Sequence, residues 1–191
     1  MRSHEKVLIT TSRRPTRRIR TFCNDLARCI PNSIRINRGK LNREGIAEKA
    51  LELDAERIVI INRWKGGPGK LELFHVSEGL VGVPPLIYVR GIKLQREFGF
   101  RKLGRFRSLA ITASFSHGND EIKKLADALS RFLNIPFILP NEKLAGYDLL
   151  MHISKNVSEQ LSITFFESRL GREIGPRITL SHLIWNLRKE R

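Results

Sequence analysis

Arginine side chains are concentrated in one short segment near the start of the chain: Arg13, Arg14, Arg17, Arg18 and Arg20. Planar guanidinium groups form paired hydrogen bonds with phosphate oxygens. Cations at the N-terminus of a helix oppose the helix dipole and cost about 0.3–1 kcal/mol each when exposed. A bound anion would reverse that cost, because the free N–H groups of a helix start also bind phosphate. The segment is therefore a candidate phosphate-binding site, with a solvated charged face as the alternative.

Two more groups of cations follow. Arg35, Arg38, Lys40 and Arg43 lie where a predicted strand leads into a second helix. Arg63, Lys65 and Lys70 flank a glycine-rich turn and are expected to touch phosphate as a mobile basic finger. Residues 66–70 lack the first glycine and the final Ser or Thr of a Walker phosphate loop, so a β-turn is predicted there.

The composition favours a polyanionic partner. The chain has 35 Lys and Arg against 19 Asp and Glu, a formal net charge of +16. A folded protein tolerates such self-repulsion when it binds nucleic acid, and a basic surface that serves only solubility is the alternative. The candidate RNA-binding residues are Arg13, Arg14, Arg17, Arg18, Arg20, Arg35, Arg38, Lys40, Arg63, Lys65, Lys70 and Arg177.

Other reactive residue types form no recognisable site. Cys23 and Cys29 match no zinc spacing and are expected to be buried thiols. The five histidines share no metal-ligand spacing, and the pair Ser116 and His117 lacks the setting of a nucleophile elbow. We therefore predict no catalytic residue, no metal, no cofactor and no enzymatic activity.

The elements that must position the arginines form a pattern that occurs twice. Strands are predicted at residues 7–12 and 108–114, and each precedes an amphipathic helix and a short strand, at 33–36 and 136–139. The apolar positions of the two helices are separated by the same 103 residues: Ile19, Phe22, Leu26 and Ile30, then Ile122, Leu125, Leu129 and Leu133.

The remaining elements complete two halves. Thr16 is expected to cap the first helix. A second helix is predicted over 42–53, burying Ile46, Ala50, Leu51 and Leu53, with a trimmed counterpart at 142–146. Further strands are predicted at 57–62, 70–76, 86–92, 149–153, 161–166 and 175–181, and residues 79–85 are predicted to be a loop.

These elements predict a mixed α/β fold of two tandem, similar halves with open mixed sheets. The first half covers residues 1–94 and the second covers 108–191, with a basic linker at 95–107. In the linker, Phe98, Phe100 and Phe106 alternate with cations; packing onto the core is favoured over base stacking.

Residues 9–18, I-T-T-S-R-R-P-T-R-R, resemble the "I-T-T-S-R-x-P-S-x-R" opening of the Brix-domain family of ribosome-biogenesis proteins. The similarity continues through I-P-N at 30–32 and I-N-R-G-K at 36–40. G-P-R-I-T-L at 175–180 resembles the family's "G-P-R-x-x-L" signature. The chain departs from the family pattern at 77–85, where "H-L-P-x-G-P-T" is usual.

The resemblance implies a non-enzymatic factor that binds ribosomal RNA or its precursor during subunit assembly. It also implies a fold like two fused anticodon-binding domains of class II aminoacyl-tRNA synthetases. The chain looks like a minimal archaeal version, expected in the cytoplasm as a monomer, with ribosomal or small-ribonucleoprotein proteins as further partners and no membrane. A transfer-RNA-binding module and a basic protein-docking scaffold are the alternatives.

Overall fold

The computed structural model describes residues 6–100, 103–114, 120–139 and 146–187. Within these ranges it contains ten strands, three α-helices and one short 3-10 helix, Gln95–Phe98. In chain order the other elements are β1 (Lys6–Thr11), α1 (Arg17–Cys29), β2 (Ser33–Arg35), α2 (Arg43–Glu52), β3 (Ala55–Trp64), β4 (Gly67–Ser77), β5 (Gly79–Lys93), β6 (Leu109–Ala113), α3 (Asp120–Leu133), β7 (Leu149–Lys155), β8 (Leu161–Glu167), β9 (Arg172–Glu173) and β10 (Arg177–Ile184).

All ten strands form one mixed sheet in the order β2-β1-β3-β4-β5-β10-β8-β7-β6, with β9 paired to β8. β1 runs parallel to β2 and β3, and β6 runs parallel to β7. The predicted mixed α/β fold with an open mixed sheet is confirmed. The prediction of a separate sheet in each half is wrong, because β5 and β10 pair antiparallel from Lys93↔Arg177 to Ile87↔Leu183 and beyond, and so join the halves.

The sheet has an apolar layer on each face. On one face α1 and α3 share a single core, in which Phe22 and Leu125 are fully buried. On the other face α2 places Ile46 against Ile58 and Phe74. Successive residues of a strand point to opposite faces, so β3 contributes to both layers and is buried on both sides.

Leu51 is the one predicted core residue of α2 that the structure contradicts. Its side chain is 61% exposed, whereas Ile46 and Ala50 are fully buried. A helix turns about 100° per residue, so Leu51 points about 100° away from Ala50 and about 140° away from Ile46. Leu53, just past the helix, is half-buried and packs at the margin of the same layer.

Residues 79–85 belong to β5, so the predicted loop is wrong. Ser77 pairs with Gly79, and the ladder continues to Leu73↔Val83 before the register shifts to Leu71↔Ile87. The prolines at 84 and 85 fall in this bulge, where the ladder does not require their missing N–H groups. A bulge thus accommodates the residues whose types predict a loop.

The second half is less regular than predicted. The strand expected at 136–139 is reduced to a parallel bridge between Ile111 and Phe137. Pro136 cannot donate to the ladder and uses only its carbonyl oxygen, which accepts from the N–H of Ile111 at 2.8 Å. The helix expected at 142–146 lies almost entirely outside the described residues.

The segment after β5 packs closely against the helices. The N–H of Gln95 donates to Asp25 Oδ2 at 3.1 Å, and its side-chain Nε2 donates to the carbonyl oxygen of Gly175 at 3.2 Å. Phe100 and Phe106 pack against the shared core of α1 and α3, which confirms the packing interpretation for these rings.

Candidate nucleic-acid interface

Two loops meet at the carboxyl ends of the parallel strands β1 and β3. The N–H of Ser12 donates to the carbonyl oxygen of Ile61 at 2.9 Å, so the chain leaves β1 beside the end of β3. The hydroxyl of Thr16 then donates to the carbonyl oxygen of Gly66 at 2.8 Å, in the turn between β3 and β4. Arg63 Nη1 lies 3.4 Å from the carbonyl oxygen of Arg14. The β3–β4 hairpin therefore rests on the start of α1.

Thr16 is also the N-cap of α1, as predicted. Its backbone is extended, and its Oγ1 accepts from the N–H of Ile19 at 3.4 Å. The first turn of α1 contains no acidic residue and begins with Arg17. The helix start therefore keeps its positive dipole end together with exposed guanidinium groups, which is the arrangement that favours a bound anion.

Arg38 brings a third segment to the same place. Its Nη1 lies 3.4 Å from the carbonyl oxygen of Thr11, and its Nε donates to the carbonyl oxygen of Leu41 at 3.0 Å. Partial burial, followed by repulsion from Arg13 and Arg43, lowers the pKa of Arg38. Arg13 and Arg43 are thus close enough to repel the guanidinium of Arg38, and a bound anion would relieve that repulsion.

The carboxylate of Glu72 lies within this group of cations. Its side chain is only 15% exposed and accepts from Lys70 at 3.2 Å. Arg43 Nη2 lies 3.7 Å from the same carboxylate, and the amide of Asn62 donates to it. We call a set of cations from the loop after β1, from the β3–β4 hairpin and from the segment from Arg38 to Arg43 the cationic surface; they are Arg13, Arg14, Arg38, Arg43, Arg63, Lys65 and Lys70.

Three other predicted residues adjoin the cationic surface. Arg17 and Arg20 are exposed in the first turns of α1. Lys40 is exposed in the turn closed by the bond from the N–H of Leu41 to the carbonyl oxygen of Arg38. All three are positioned to extend the positive surface beyond its centre.

Arg18 and Arg35 have intramolecular partners of their own. Arg18 Nη2 lies 3.0 Å from Glu97 and donates to the carbonyl oxygen of Ile92 at 2.8 Å, which ties α1 to the end of β5. Arg35 donates to Asn37 at 2.6 Å. Burial raises the pKa of the Cys23 thiol to about 11, opposed by the neighbouring Arg35.

Arg177 also has a partner of its own. Its Nε donates to Glu173 Oε1 at 2.7 Å, and a second bond joins Nη2 to the same carboxylate, which raises the pKa of Arg177. Its guanidinium carbon lies 5.5 Å from the ring centre of Phe98, and Lys93 lies 4.1 Å from the same ring. The signature arginine therefore belongs to an ion pair and a cation–π cluster.

Sequence reasoning did not select Arg43 or Trp64 as site residues. Arg43 was grouped with Arg38, but nothing in the pattern showed that it would reach Glu72, twenty-nine residues on. Trp64 ends β3 with its side chain 69% exposed, although it follows a run of buried residues. The surrounding charges were the available signal, since both residues lie among arginines and lysines.

The turn that follows Trp64 has unusual backbone geometry. Lys65 and Gly66 both have positive φ, 43° and 85°, the pattern of a type I′ hairpin turn. A lysine in this region costs about 1–3 kcal/mol, which the rest of the hairpin must offset. A Cβ at Gly69 would lie 2.2 Å from Trp64 Cβ, so only glycine fits opposite the tryptophan.

The other candidate chemistries find little support in the described part of the chain. Within it, no three His, Cys, Asp or Glu side chains form a group that could hold a metal ion. His152 lies between the hydroxyls of Thr112 and Ser114, at 2.9 and 3.0 Å, and burial lowers its pKa. Cys23 and Cys29 are buried free thiols, as predicted. None of the helices described here has the length and apolar character to cross a membrane.

No family model matches this sequence, but individual proteins do. It is 43% identical over 119 residues to a probable Brix domain-containing ribosomal biogenesis protein of Pyrococcus horikoshii, covering 61% of this chain and 53% of that protein. A protein of the same description from Pyrococcus furiosus is 42% identical over 191 residues, 94% of this chain and 84% of the relative. The chain thus spans about half the length of the first relative and most of the second.

Two solved structures share the fold. A probable ribosomal biogenesis protein from Aeropyrum pernix is 25% identical, with a TM-score of 0.75 over 93% of this chain and 96% of that one. Mil, an archaeal Imp4-like protein, is 16% identical, with a TM-score of 0.64 over 94% and 99%. A shorter sequence match, 39% identical over 74 residues, joins 39% of this chain to 26% of the U3 small nucleolar ribonucleoprotein protein imp4 of Schizosaccharomyces pombe.

Proposed function

The chain belongs to the Brix-domain family of ribosomal biogenesis proteins, and from that premise we propose that it binds ribosomal RNA or its precursor during subunit assembly, without catalysing a reaction. The observation that carries the proposal is the cationic surface. Cations from three loops and from the starts of α2 and β4 converge there, and the carboxylate of Glu72 contacts two of them, Arg43 and Lys70.

Phosphate contacts from this surface supply most of the affinity in the proposed complex. Guanidinium groups of Arg13, Arg14 and Arg63 are exposed and suited to paired bonds with phosphate oxygens. In the proposed complex the RNA phosphates also offset the repulsion that Arg13 and Arg43 exert on Arg38 in the free protein. Arg18, Arg35 and Arg177 have a structural role in this proposal: Arg18 pairs with Glu97, Arg177 pairs with Glu173, and Arg35 bonds to Asn37.

The proposed partners follow from the same surface and the relatives. The name of the fission yeast relative places that protein in a small nucleolar ribonucleoprotein. We propose that the present chain likewise acts in an assembly of RNA with ribosomal or small-ribonucleoprotein proteins. A monomer in the cytoplasm fits this role, since the archaeal relatives are ribosomal biogenesis proteins.

We also propose that the two halves are copies of one unit that resembles an anticodon-binding domain. In each half a strand, β1 or β6, precedes a helix, α1 or α3, of the shared core. Each of these strands then pairs in parallel with the segment after its helix, at Ser33 or at Phe137, and with a later strand, β3 or β7. The 103-residue offset between the helices supports the same origin.

The salt dependence of RNA binding tests the proposed function. If ~6–10 phosphates are engaged, affinity for a precursor ribosomal RNA transcript should fall ~10³–10⁵-fold between 50 and 200 mM salt. A slope near zero would contradict the proposal. Competition with transfer RNA separates the two RNA classes, and pull-down after nuclease treatment identifies a protein partner that is held without RNA.

A further inference from the structure

Among the tryptophan, tyrosine and phenylalanine residues that the structure describes, Trp64 is the most exposed, at 69%. It lies at the tip of the β3–β4 hairpin, between the exposed cations Arg63 and Lys65. Within the described part of the chain, its indole forms no ring-stacking or cation–π contact. A large apolar ring held in water among positive charges has no evident role in the stability of the fold.

The hairpin constrains the backbone that carries this ring. Thr16 bonds to Gly66 on one side of the tip, and Arg63 bonds to the carbonyl oxygen of Arg14 on the other. Gly69 packs against the tryptophan so closely that no other residue would fit. Lys65 keeps a left-handed backbone that lysine rarely adopts. Such local constraint at an exposed position is typical of binding sites.

We propose that Trp64 stacks on an unpaired base of the bound RNA, while the cationic surface holds the phosphates of the same strand. This inference rests on the proposed function and specifies its substrate class, single-stranded or looped RNA. Stacking on an aromatic ring accepts any base, because every base has a π-face. The neighbouring charges favour this occupant: Arg13, Arg14 and Arg63 surround the hairpin with positive charge, which matches a polyanion.

Selectivity for unpaired RNA follows from the geometry. In a duplex the bases are stacked on one another, so a ring that projects from a hairpin meets phosphates, sugars and base edges but no open base face. A splayed base in a loop or single strand can lie flat on the indole. Trp64 therefore adds affinity for unpaired RNA and leaves duplex binding to the cations.

Variants at position 64 test the proposal with defined probes, a labelled single-stranded oligouridylate and an RNA duplex of the same length. Trp64→Ala should weaken single-strand binding about tenfold, leaving the salt slope and the duplex affinity unchanged. Trp64→Phe should retain most of the affinity. Leu170→Ala, which removes another exposed apolar side chain, is the matched control and should change nothing.

Tryptophan fluorescence provides an independent test of base stacking on Trp64. The chain has two tryptophans, so Trp185→Phe leaves Trp64 as the sole indole. Stacking on uracil should quench its emission when oligouridylate binds. Absence of quenching, or equal single-strand affinity of Trp64→Ala and wild type, overturns the stacking proposal and points to a protein contact. Absence of salt-dependent RNA binding by the wild type instead removes the proposed function itself.

Discussion

The hydroxyl of Thr16 bonds to the carbonyl oxygen of Gly66 across fifty residues of sequence, at 2.8 Å. The hydroxyl oxygen of Thr16 also accepts the N–H of Ile19 and so caps α1. One side chain therefore fixes both the start of the helix and the position of the hairpin. Because cations lie on both of these elements, the geometry of the cationic surface depends on this hydroxyl.

Replacing Thr16 by valine keeps the shape of the side chain and removes both bonds. We expect the free energy of unfolding to fall by about 1–2 kcal/mol, since a helix cap and a partly buried hydrogen bond are lost together. Urea unfolding monitored by circular dichroism measures the change. Thr16→Ser retains the hydroxyl and should stay within about 0.5 kcal/mol of wild type. A valine variant as stable as wild type would show that neither bond contributes.

Removing charge from the loop after β1 should weaken RNA binding without weakening the fold. In the double variant Arg13→Gln/Arg14→Gln, we expect the slope of log affinity against log salt to decrease by about 1–2, because two phosphate contacts are lost. The free energy of unfolding should not fall, since Arg38 loses a repulsive neighbour.

The control for that variant is Lys123→Gln/Arg131→Gln, which removes the same charge from exposed positions of α3. Filter binding over a salt series measures both slopes. If the α3 variant reduced the slope as much as the loop variant, binding would depend on net charge alone and the cationic surface would have no special role.

Glu72→Gln should raise the affinity for RNA, the opposite of the effect expected for the arginine variants. The variant removes the carboxylate that offsets Lys70 and Arg43, so affinity should rise roughly twofold to fivefold. Stability should fall modestly, by about 0.5–1.5 kcal/mol, because a half-buried charge-assisted network is lost. Parallel binding and urea measurements show both effects, and unchanged or weaker binding would argue against RNA contact around Glu72.

His152 should make stability depend on pH. Burial lowers its pKa below the unfolded value of 6.5, so the unfolded chain binds a proton more readily. This histidine therefore favours the folded state fully above pH 6.5, and the contribution is lost as pH falls through 6.5 toward the folded-state pKa. In His152→Gln the free energy of unfolding should change less between pH 7.5 and pH 5 than in wild type. Equal pH profiles would rule out this histidine as the cause.

The helices and strands were predicted well where the residues of the segment itself determine its structure. Thr16 caps α1, as expected, and the predicted strand at 70–76 places Leu71 and Leu73 in one apolar layer and Phe74 in the other. The prediction of a loop at residues 79–85 was wrong. Glycine and proline are typical of loops, and only the pairing with β4 makes this segment a strand.

The candidate site was predicted only in part, because the sequence shows local clusters of charge but not contacts between distant segments. Clusters close in sequence, such as Arg13 and Arg14, were recognisable, and the structure brings Arg38 and Arg63 beside them. Pairing over long distances was not recognisable. Arg18 meets Glu97 seventy-nine residues later, a contact that depends on how β5 returns to α1. Sequence alone shows which charges exist, and the fold decides which of them remain free for a ligand.

The pairing of β5 with β10 has a consequence for biosynthesis. In chain order β10 is the last of the ten strands described, yet it occupies the middle of the sheet. During translation, the edge of β5 that pairs with β10 therefore stays unpaired until the segment around Arg177 has left the ribosome. An open strand edge recruits other chains, so nascent or truncated forms that end before β10 should aggregate. A factor of ribosome assembly would then need its own protection while it is being made.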